Sequence, residues 1–95
     1  MEIVNLRRTA RQQYGFPAEL RGVLVGKVDE DSKAADAELR EGDVIVEINR
    51  RPVRNVDEAV EAVSASKEGR VLMRVYSRAG GNGSTRYLSV ETGKK

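Results

Sequence analysis

The sequence predicts a small α+β domain whose strands pack as one compact sheet or partial barrel. Three observations predict this class. The chain has 95 residues, which suits a single domain with one core. Short runs rich in valine and isoleucine alternate with runs of helix formers, in the order β, short α, β, short α, β, longer α and β-hairpin. Finally, 39% of the residues are hydrophobic and 34% are charged, which is typical of a globular domain with a crowded polar surface.

The first half of the chain is predicted to alternate between strands and short helices. The elements are a strand over 2–6, a helix over 9–14, a strand over 22–28 and a short helix over 33–38 that Asp31 or Ser32 can cap. Gly15 is a suitable stop for the first helix. Pro17 then requires an extended or turn conformation, because proline fixes its own φ and restrains its predecessor.

The second half is predicted to contain one longer helix between strands. The elements are a strand over 44–48, a brief extended piece at 52–53, a helix from Asn55 to about Ser66, a strand over 71–76, a glycine-rich loop over 79–84 and a strand over 85–91. Val44, Val46 and Ile48 fall on one face of their strand by the period of two. Asn55 is a good N-cap for the helix.

The composition excludes several kinds of chemistry. The chain has no cysteine and no histidine, so disulfides, zinc thiolate sites, histidine metal sites and Ser-His-Asp or Cys-His arrangements cannot form within it. The acids at 29–31 lack the ligand spacing of a calcium loop. The sequence therefore predicts no catalytic residue, no metal site and no cofactor.

Charge and hydropathy bear on possible partners. The formal net charge is +2, and the two signs are interspersed, so we expect no nucleic-acid partner. Arg7, Arg8 and Arg11 are interpreted as a solvated helix face. No apolar run reaches membrane-spanning length, and we expect no direct membrane insertion.

The stretch AELRGVLVGKV, residues 18–28, places a glycine directly before an apolar strand. If that strand lies at a sheet edge, an incoming peptide can pair with it, and its first N–H groups suit a carboxylate. Leu20, Val23 and Val25 would form one wall of a groove. The other wall would be an apolar helical stripe of Val56, Ala59, Val60 and Val63. Ordinary core valines after a turn glycine are the alternative interpretation.

Three segments resemble a known family. Residues 20–23 (LRGV) resemble the carboxylate-binding loop of PDZ domains, residues 32–45 (SKAADAELREGDVI) resemble that family's most specific segment, and residues 46–53 (VEINRRPV) continue it. The terminal hairpin after the helix resembles the circularly permuted bacterial form. Residues 13–20 (QYGFPAEL) are similar to the second PDZ domain of HtrA/Do-type (Deg) proteases, which are periplasmic serine proteases with a catalytic triad in a separate domain.

The resemblance implies a PDZ-like fold of five to six strands and two to three helices, and a set of site residues. These are Leu20, Arg21, Gly22 and Val23 as the carboxylate loop, Val23, Leu24 and Val25 as the peptide-pairing strand, and Val56, Ala59, Val60 and Val63 as the groove and pocket. An apolar residue at Val56, where the helix starts, implies preference for an apolar side chain two positions before the ligand's terminus. On this assignment, Gly22→Val is expected to weaken binding while the domain stays folded.

Function and context are implied in the same way. Residues 1–95 would be one PDZ domain excised from a larger periplasmic protease, with 92–95 as a disordered tail. It would not be an enzyme itself. It would bind apolar C-terminal or unfolded peptide segments for substrate recognition or regulation of an HtrA-type endopeptidase. The alternative is an architectural module that docks on the protease domain or another PDZ domain of the parent chain. An accessory domain of a membrane-embedded or tail-specific protease is a third possibility.

Four residues depart from the family pattern. Arg21 places a charge at the often apolar second position of the carboxylate loop, and one hypothesis is that its guanidinium helps to hold the carboxylate. Lys33 stands in place of proline, and Glu38 and Arg50 stand in place of glycines. If Glu38 adopts a positive φ, we expect a cost of about 1 kcal/mol.

Overall fold

The computed structural model describes residues 2–32, 35, 37–66, 69–77 and 83–91. Within these residues the chain forms β1 (Glu2–Asn5), α1 (Arg8–Tyr14), β2 (Val23–Lys27), β3 (Val44–Ile48), β4 (Arg51–Pro52), α2 (Val56–Ser64), β5 (Arg70–Ser77) and β6 (Ser84–Glu91). The predicted α+β class and the order of these elements are confirmed. Most of the helix expected over 33–38, most of the glycine-rich loop and the 92–95 tail lie outside the described residues.

All six strands belong to one antiparallel sheet with the order β1-β2-β3-β5-β6, and β4 pairs with β3. β2 is therefore an interior strand. Leu24 lies opposite Val4 of β1 on one side and opposite Val44 of β3 on the other. The expectation that residues 22–25 form an unpaired sheet edge is wrong. Within the described chain, the two ends of the sheet are β1 and β6.

The sheet carries a hydrophobic cluster on each face. The cluster under α2 contains Val23, Val25, Ile45, Ile48, Ala59, Ala62, Val71, Met73 and Val75, among others. The cluster under α1 contains Leu6, Phe16, Leu24 and Val44, with Ala10, Leu20, Val46 and Tyr76 packed against it. The two helices therefore cover opposite faces, and burial of both faces explains why β2 begins with an uninterrupted apolar run at residues 23–25.

β3 changes the face of its side chains partway along its length. The pairing register with β5 shifts between Ile45 and Glu47, as in a β-bulge. Ile45 and Ile48 consequently belong to the cluster under α2, whereas Val44 and Val46 belong to the cluster under α1. The expectation that Val44, Val46 and Ile48 share one face is wrong for Ile48, because the bulge breaks the period of two.

Two turns hold non-glycine residues in left-handed conformations. Asn49 (φ 52°) and Arg50 (φ 67°) form the tight turn between β3 and β4, where both central residues need positive φ. Asn49 also holds the turn against β5, since its N–H donates to the Leu72 carbonyl at 2.7 Å and its Oδ1 accepts from the Leu72 N–H at 2.9 Å. Glu38 has a φ of 69°, so the positive φ considered from the sequence is present.

Gly22 is required by packing inside the protein. A Cβ at this position would collide with the Ile45 carbonyl oxygen and lie 2.8 Å from Cγ1 of Val44. β3 therefore approaches the chain at Gly22 too closely for any side chain. This answers why a glycine precedes the β2 strand, and the neighbour it accommodates is β3.

In the described part of the chain, no helix has both the length and the apolar character needed to cross a membrane.

Candidate functional site

β1 leaves backbone groups free along one edge. The Val25 N–H donates to the Asp43 carbonyl at 2.8 Å, and the Val25 carbonyl accepts from the Gly42 N–H at 2.9 Å, so the backbone of Val25 is directed away from β1. Its opposite residue, Ile3, therefore belongs to a non-hydrogen-bonded pair, and the N–H and C=O of Ile3 point away from β2. The same holds two residues later, at Asn5. No described strand pairs with this side of β1.

An apolar pocket of about 220 Å³ lies between this edge and α2. Its lining is formed by Ile3, Ile45, Ile48, Ala59, Val60, Val63, Ser64 and Met73, none of which is charged. Val60 is 53% exposed although it lies on a helix packed against the core. Exposed valine beside a concave apolar surface indicates a place where a ligand's hydrophobic side chain can be buried.

The start of α2 is attached to the end of β1. Asn5 Oδ1 accepts from the Val56 N–H at 2.8 Å. Asn55 Oδ1 accepts from the Glu58 N–H at 2.8 Å, which confirms the predicted N-cap, and Glu58 Oε1 accepts from the Arg54 N–H at 2.8 Å. These bonds hold α2 beside the free edge, so both walls of the pocket are positioned by the fold.

The sequence model of the family described as PDZ domain matches residues 17–77. The chain belongs to the PDZ-domain family.

Individual relatives indicate which kind of PDZ-containing protein this chain is similar to. A probable periplasmic serine endoprotease of DegP-like type from Brucella suis is 43% identical over 60 residues, which are 60% of this chain and 12% of the relative. A crystal structure of the HtrA3 PDZ domain bound to a phage-derived ligand (FGRWV) superimposes with a TM-score of 0.76 at 23% identity, covering 96% of this chain and 79% of that one.

An HtrA-type protease, AlgW, with a decapeptide superimposes with a TM-score of 0.74 at 24% identity, covering 95% of this chain and 26% of that one. At these identities the structural matches show the fold alone. The curated relatives are HtrA/DegP-like proteases, which confirms the resemblance stated from the sequence. The chain spans about 12% of the length of the first of these relatives.

The four residues expected to form the carboxylate loop lie elsewhere in this PDZ domain. Leu20 packs in the cluster under α1, on the sheet face opposite α2, and Val23 is fully buried in the core. The Arg21 guanidinium donates from Nη1 to the carbonyls of Ala18 and Leu20 at 3.2 and 3.3 Å. Gly22 contacts β3. None of these four residues lines the pocket.

The residues expected to pair with a peptide are also enclosed. Val23, Leu24 and Val25 are buried, and their backbone lies between β1 on one side and β3 with residues 42–43 on the other. A strand with neighbours on both sides has no hydrogen-bonding edge for a guest chain. The free edge is β1.

Three of the four helix residues expected to form the groove line this pocket. Ala59, Val60 and Val63 line the pocket, whereas Val56 does not line it and is engaged through its N–H with Asn5. Sequence reasoning missed the strand side of the pocket, above all Ile3. A signal was available in β1 itself, since EIVN is short and polar at both ends, as edge strands tend to be.

Within the described ranges, no three acidic side chains come close enough together to hold a metal ion.

Proposed function

We propose that this PDZ domain binds the apolar end of an extended peptide, which adds a strand along β1 and places its last side chain in the pocket against α2. The observation that carries the proposal is the combination of a free strand edge with an uncharged pocket directly beside it. Backbone pairing supplies affinity for any sequence, and the pocket supplies preference for an apolar side chain.

The free groups of β1 define how the guest chain would pair. Ile3 and Asn5 each offer one N–H and one C=O, so a guest strand gains up to four backbone hydrogen bonds. Antiparallel pairing is the commoner arrangement in sheets. An antiparallel guest runs from Asn5 towards Glu2, which brings its C-terminal residue beside Ile3 and Val63.

The carboxylate loop needs a new position under this proposal. The resemblance to PDZ domains implies a loop directly before the peptide-pairing strand. With β1 as that strand, the described residues do not include this loop. The proposal therefore assigns no carboxylate contact to Arg21 or Gly22.

A pair of matched substitutions tests the pocket. Isothermal titration would use peptides of five residues ending in Val, Leu or Phe. Val60→Glu places a charge in the pocket on an exposed helix position, and we expect at least tenfold weaker binding with little change in stability. Val4→Glu is the control, because Val4 is also exposed, lies on β1 and faces away from Ile3. Equal affinities of the two variants would contradict the proposal.

Proline substitutions test the backbone pairing. Ile3→Pro removes an N–H that points to the free edge, so we expect the domain to fold but to lose its binding of the peptide. Val4→Pro removes an N–H that points to Leu24 of β2, and we expect it to destabilise the domain itself. Folding of both variants with unchanged peptide affinity would exclude β1 as the pairing strand.

The cellular role is proposed from the relatives. Because the bacterial relatives are described as probable periplasmic serine endoproteases, we propose that this domain serves substrate recognition or regulation in an HtrA-type protease of the bacterial periplasm. Its partners would be apolar peptide ends and the protease and PDZ domains of the same parent. Deleting residues 17–77 from the parent protease should reduce cleavage of substrates with apolar termini more than cleavage of short chromogenic substrates.

An architectural role is the second candidate, and β6 favours it. β6 is the other end of the described sheet, has eight residues and carries Tyr87, which is 58% exposed. A long edge strand with an exposed aromatic residue suits docking against another domain. Tyr87→Ser should then change the oligomeric state of the parent protein in size-exclusion chromatography while peptide binding persists.

A further inference from the structure

A cleft lined by arginines lies at one end of the sheet. α1 and the following residues 15–21 enclose a concave volume of about 580 Å³. Arg8, Arg11 and Arg21 line it together with Gln12, and Phe16 also contributes to its lining. We call this the arginine cleft. The sequence alone suggested only a solvated helix face for Arg8 and Arg11.

Two guanidinium groups of this cleft, those of Arg11 and Arg21, are held close together without a counter-charge. Arg11 Nε donates to the Leu20 carbonyl at 3.1 Å, and Arg21 Nη1 donates to the same oxygen at 3.3 Å. Because both nitrogens donate to the same oxygen, the two guanidinium groups are direct neighbours. No described carboxylate forms an ion pair with the arginines of the cleft. Each guanidinium keeps free N–H groups, which are suited to bidentate carboxylate binding.

The arginine cleft lies at the same end of the sheet as the last residue of β1, past which an added strand would extend. Asn5, the last residue of β1, lies opposite Val23, the first residue of β2. Arg21 precedes Val23 by two residues, and Arg7 and Arg8 follow β1. These arginines are therefore at the same end of the sheet. Strand residues advance about 3.3 Å each, so a guest residue opposite Arg7 lies about four positions before the one opposite Ile3.

We infer that the arginine cleft binds aspartate or glutamate side chains of the guest peptide, located about four to eight residues before its apolar terminus. The inference rests on the proposed peptide binding at β1 and adds a charge requirement to it. The preferred ligand is a peptide with an acidic segment followed by an apolar end. Electrostatic steering by three arginines would also accelerate its association.

The cleft fits a peptide better than a nucleic acid. Binding of single-stranded nucleic acid uses exposed aromatic rings on which bases stack. Here Phe16 lines the cleft but is buried, whereas Tyr14, which is 43% exposed and stacks on Phe16, does not line the cleft.

The test compares three peptides by titration calorimetry: a five-residue apolar-ended peptide, the same peptide extended at its N-terminus by Asp-Glu-Asp-Glu, and the same peptide extended by Ser-Gly-Ser-Gly. We expect the acidic extension to increase affinity about threefold to tenfold over the neutral one at low ionic strength. Salt at about 0.5 M should remove most of that difference, because the arginines are near the surface.

Arginine variants assign the effect to the cleft. Arg8→Gln, which breaks no described bond, and Arg8→Gln with Arg21→Gln should reduce the gain from the acidic extension stepwise while the five-residue peptide binds as before. Lys27→Gln is the control, because it removes one positive charge from the far end of β2. The gain should then be unchanged.

The two proposals fail differently. If the five-residue peptide does not bind, the proposed function is wrong. If it binds and the acidic extension adds nothing, the inference about the cleft is wrong. Equal gain in wild type and in the Arg8→Gln/Arg21→Gln variant would also overturn the inference, as would preferential binding of a four-nucleotide single-stranded DNA over the acidic peptide.

Discussion

The side chain of Asn5 and the backbone amide of Val56 form a hydrogen bond of 2.8 Å across 51 positions of the chain. It joins the last residue of the free edge strand to the first residue of α2. The bond satisfies one of the N–H groups that a helix leaves without a partner at its start. One side chain therefore links the two walls of the proposed peptide groove at the end where α2 begins.

Loss of this bond should destabilise the domain modestly. Asn5→Ala removes the acceptor for Val56, and we expect the free energy of unfolding to fall by about 1 kcal/mol. Asn5→Asp keeps an acceptor of similar length and should retain most of the stability. Urea denaturation followed by circular dichroism measures both variants. Equal stability of Asn5→Ala and wild type would show that the bond contributes nothing.

The sequence predicted the secondary-structure elements better than it predicted which strands lie side by side, and the reason is physical. The Asn55 cap, the Gly15 stop and the valine-rich runs depend on residues close in the chain, and local rules describe them well. Which strand lies at an edge depends on pairing between distant segments. The uninterrupted buried run at 23–25 was in fact typical of an interior strand, whereas β1, which is short and polar at both ends, was typical of an edge.

The same difference between local patterns and contacts of distant segments applies to the site. The helix side of the pocket was predicted because the spacing of Ala59, Val60 and Val63 places them on one stripe. The strand side was missed because LRGV at residues 20–23 matches the loop pattern locally. Gly22 serves the contact with Ile45 instead, and such a contact between distant segments leaves no mark in local spacing.

Gly22 should be essential for stability. The geometry contradicts the expectation that Gly22→Val leaves the domain folded, because even one methyl group would collide with the Ile45 carbonyl. We expect Gly22→Ala to lower the free energy of unfolding by about 2 kcal/mol or more. Gly26→Ala is the matched control, since a Cβ there meets only the Glu2 carbonyl at 3.7 Å. Thermal unfolding of the two variants at the same midpoint would refute this role.

Two strained positions offer stabilising substitutions. Glu38 and Arg50 adopt φ values of 69° and 67°, which glycine adopts without a steric cost. Glu38→Gly and Arg50→Gly should each raise the free energy of unfolding by up to about 1 kcal/mol. Glu38→Ala and Arg50→Ala are the controls, because alanine removes the same side chains and keeps the strain. A stabilisation by alanine equal to that by glycine would attribute the effect to the lost side chain.

Asp43 connects three segments from a buried position. Its Oδ1 accepts from Ser77 Oγ at 2.9 Å, its Oδ2 accepts from the Arg40 N–H at 3.1 Å, and Arg86 Nη2 lies 3.7 Å from Oδ2. Since hydrogen bonds to a buried carboxylate are stronger than neutral ones, Ser77→Ala should lower the free energy of unfolding by about 1.5 kcal/mol. Asp43→Ala should cost more, about 3 kcal/mol, because it leaves the Arg40 N–H and Ser77 hydroxyl without this acceptor.

A double-mutant cycle isolates the contact between Asp43 and Ser77. If the two side chains stabilise the fold through each other, the Asp43→Ala/Ser77→Ala double variant should be less destabilised than the two single losses added together, by about 1 kcal/mol. Arg86→Gln is the comparison. It should lower the free energy of unfolding by less than about 1 kcal/mol, because the Arg86 side chain is 39% exposed and its 3.7 Å ion pair with Asp43 is longer than the bond from Ser77. Additive losses of stability in the cycle would mean that Ser77 and Asp43 act independently. Backbone pairing alone would then connect β5 to the start of β3.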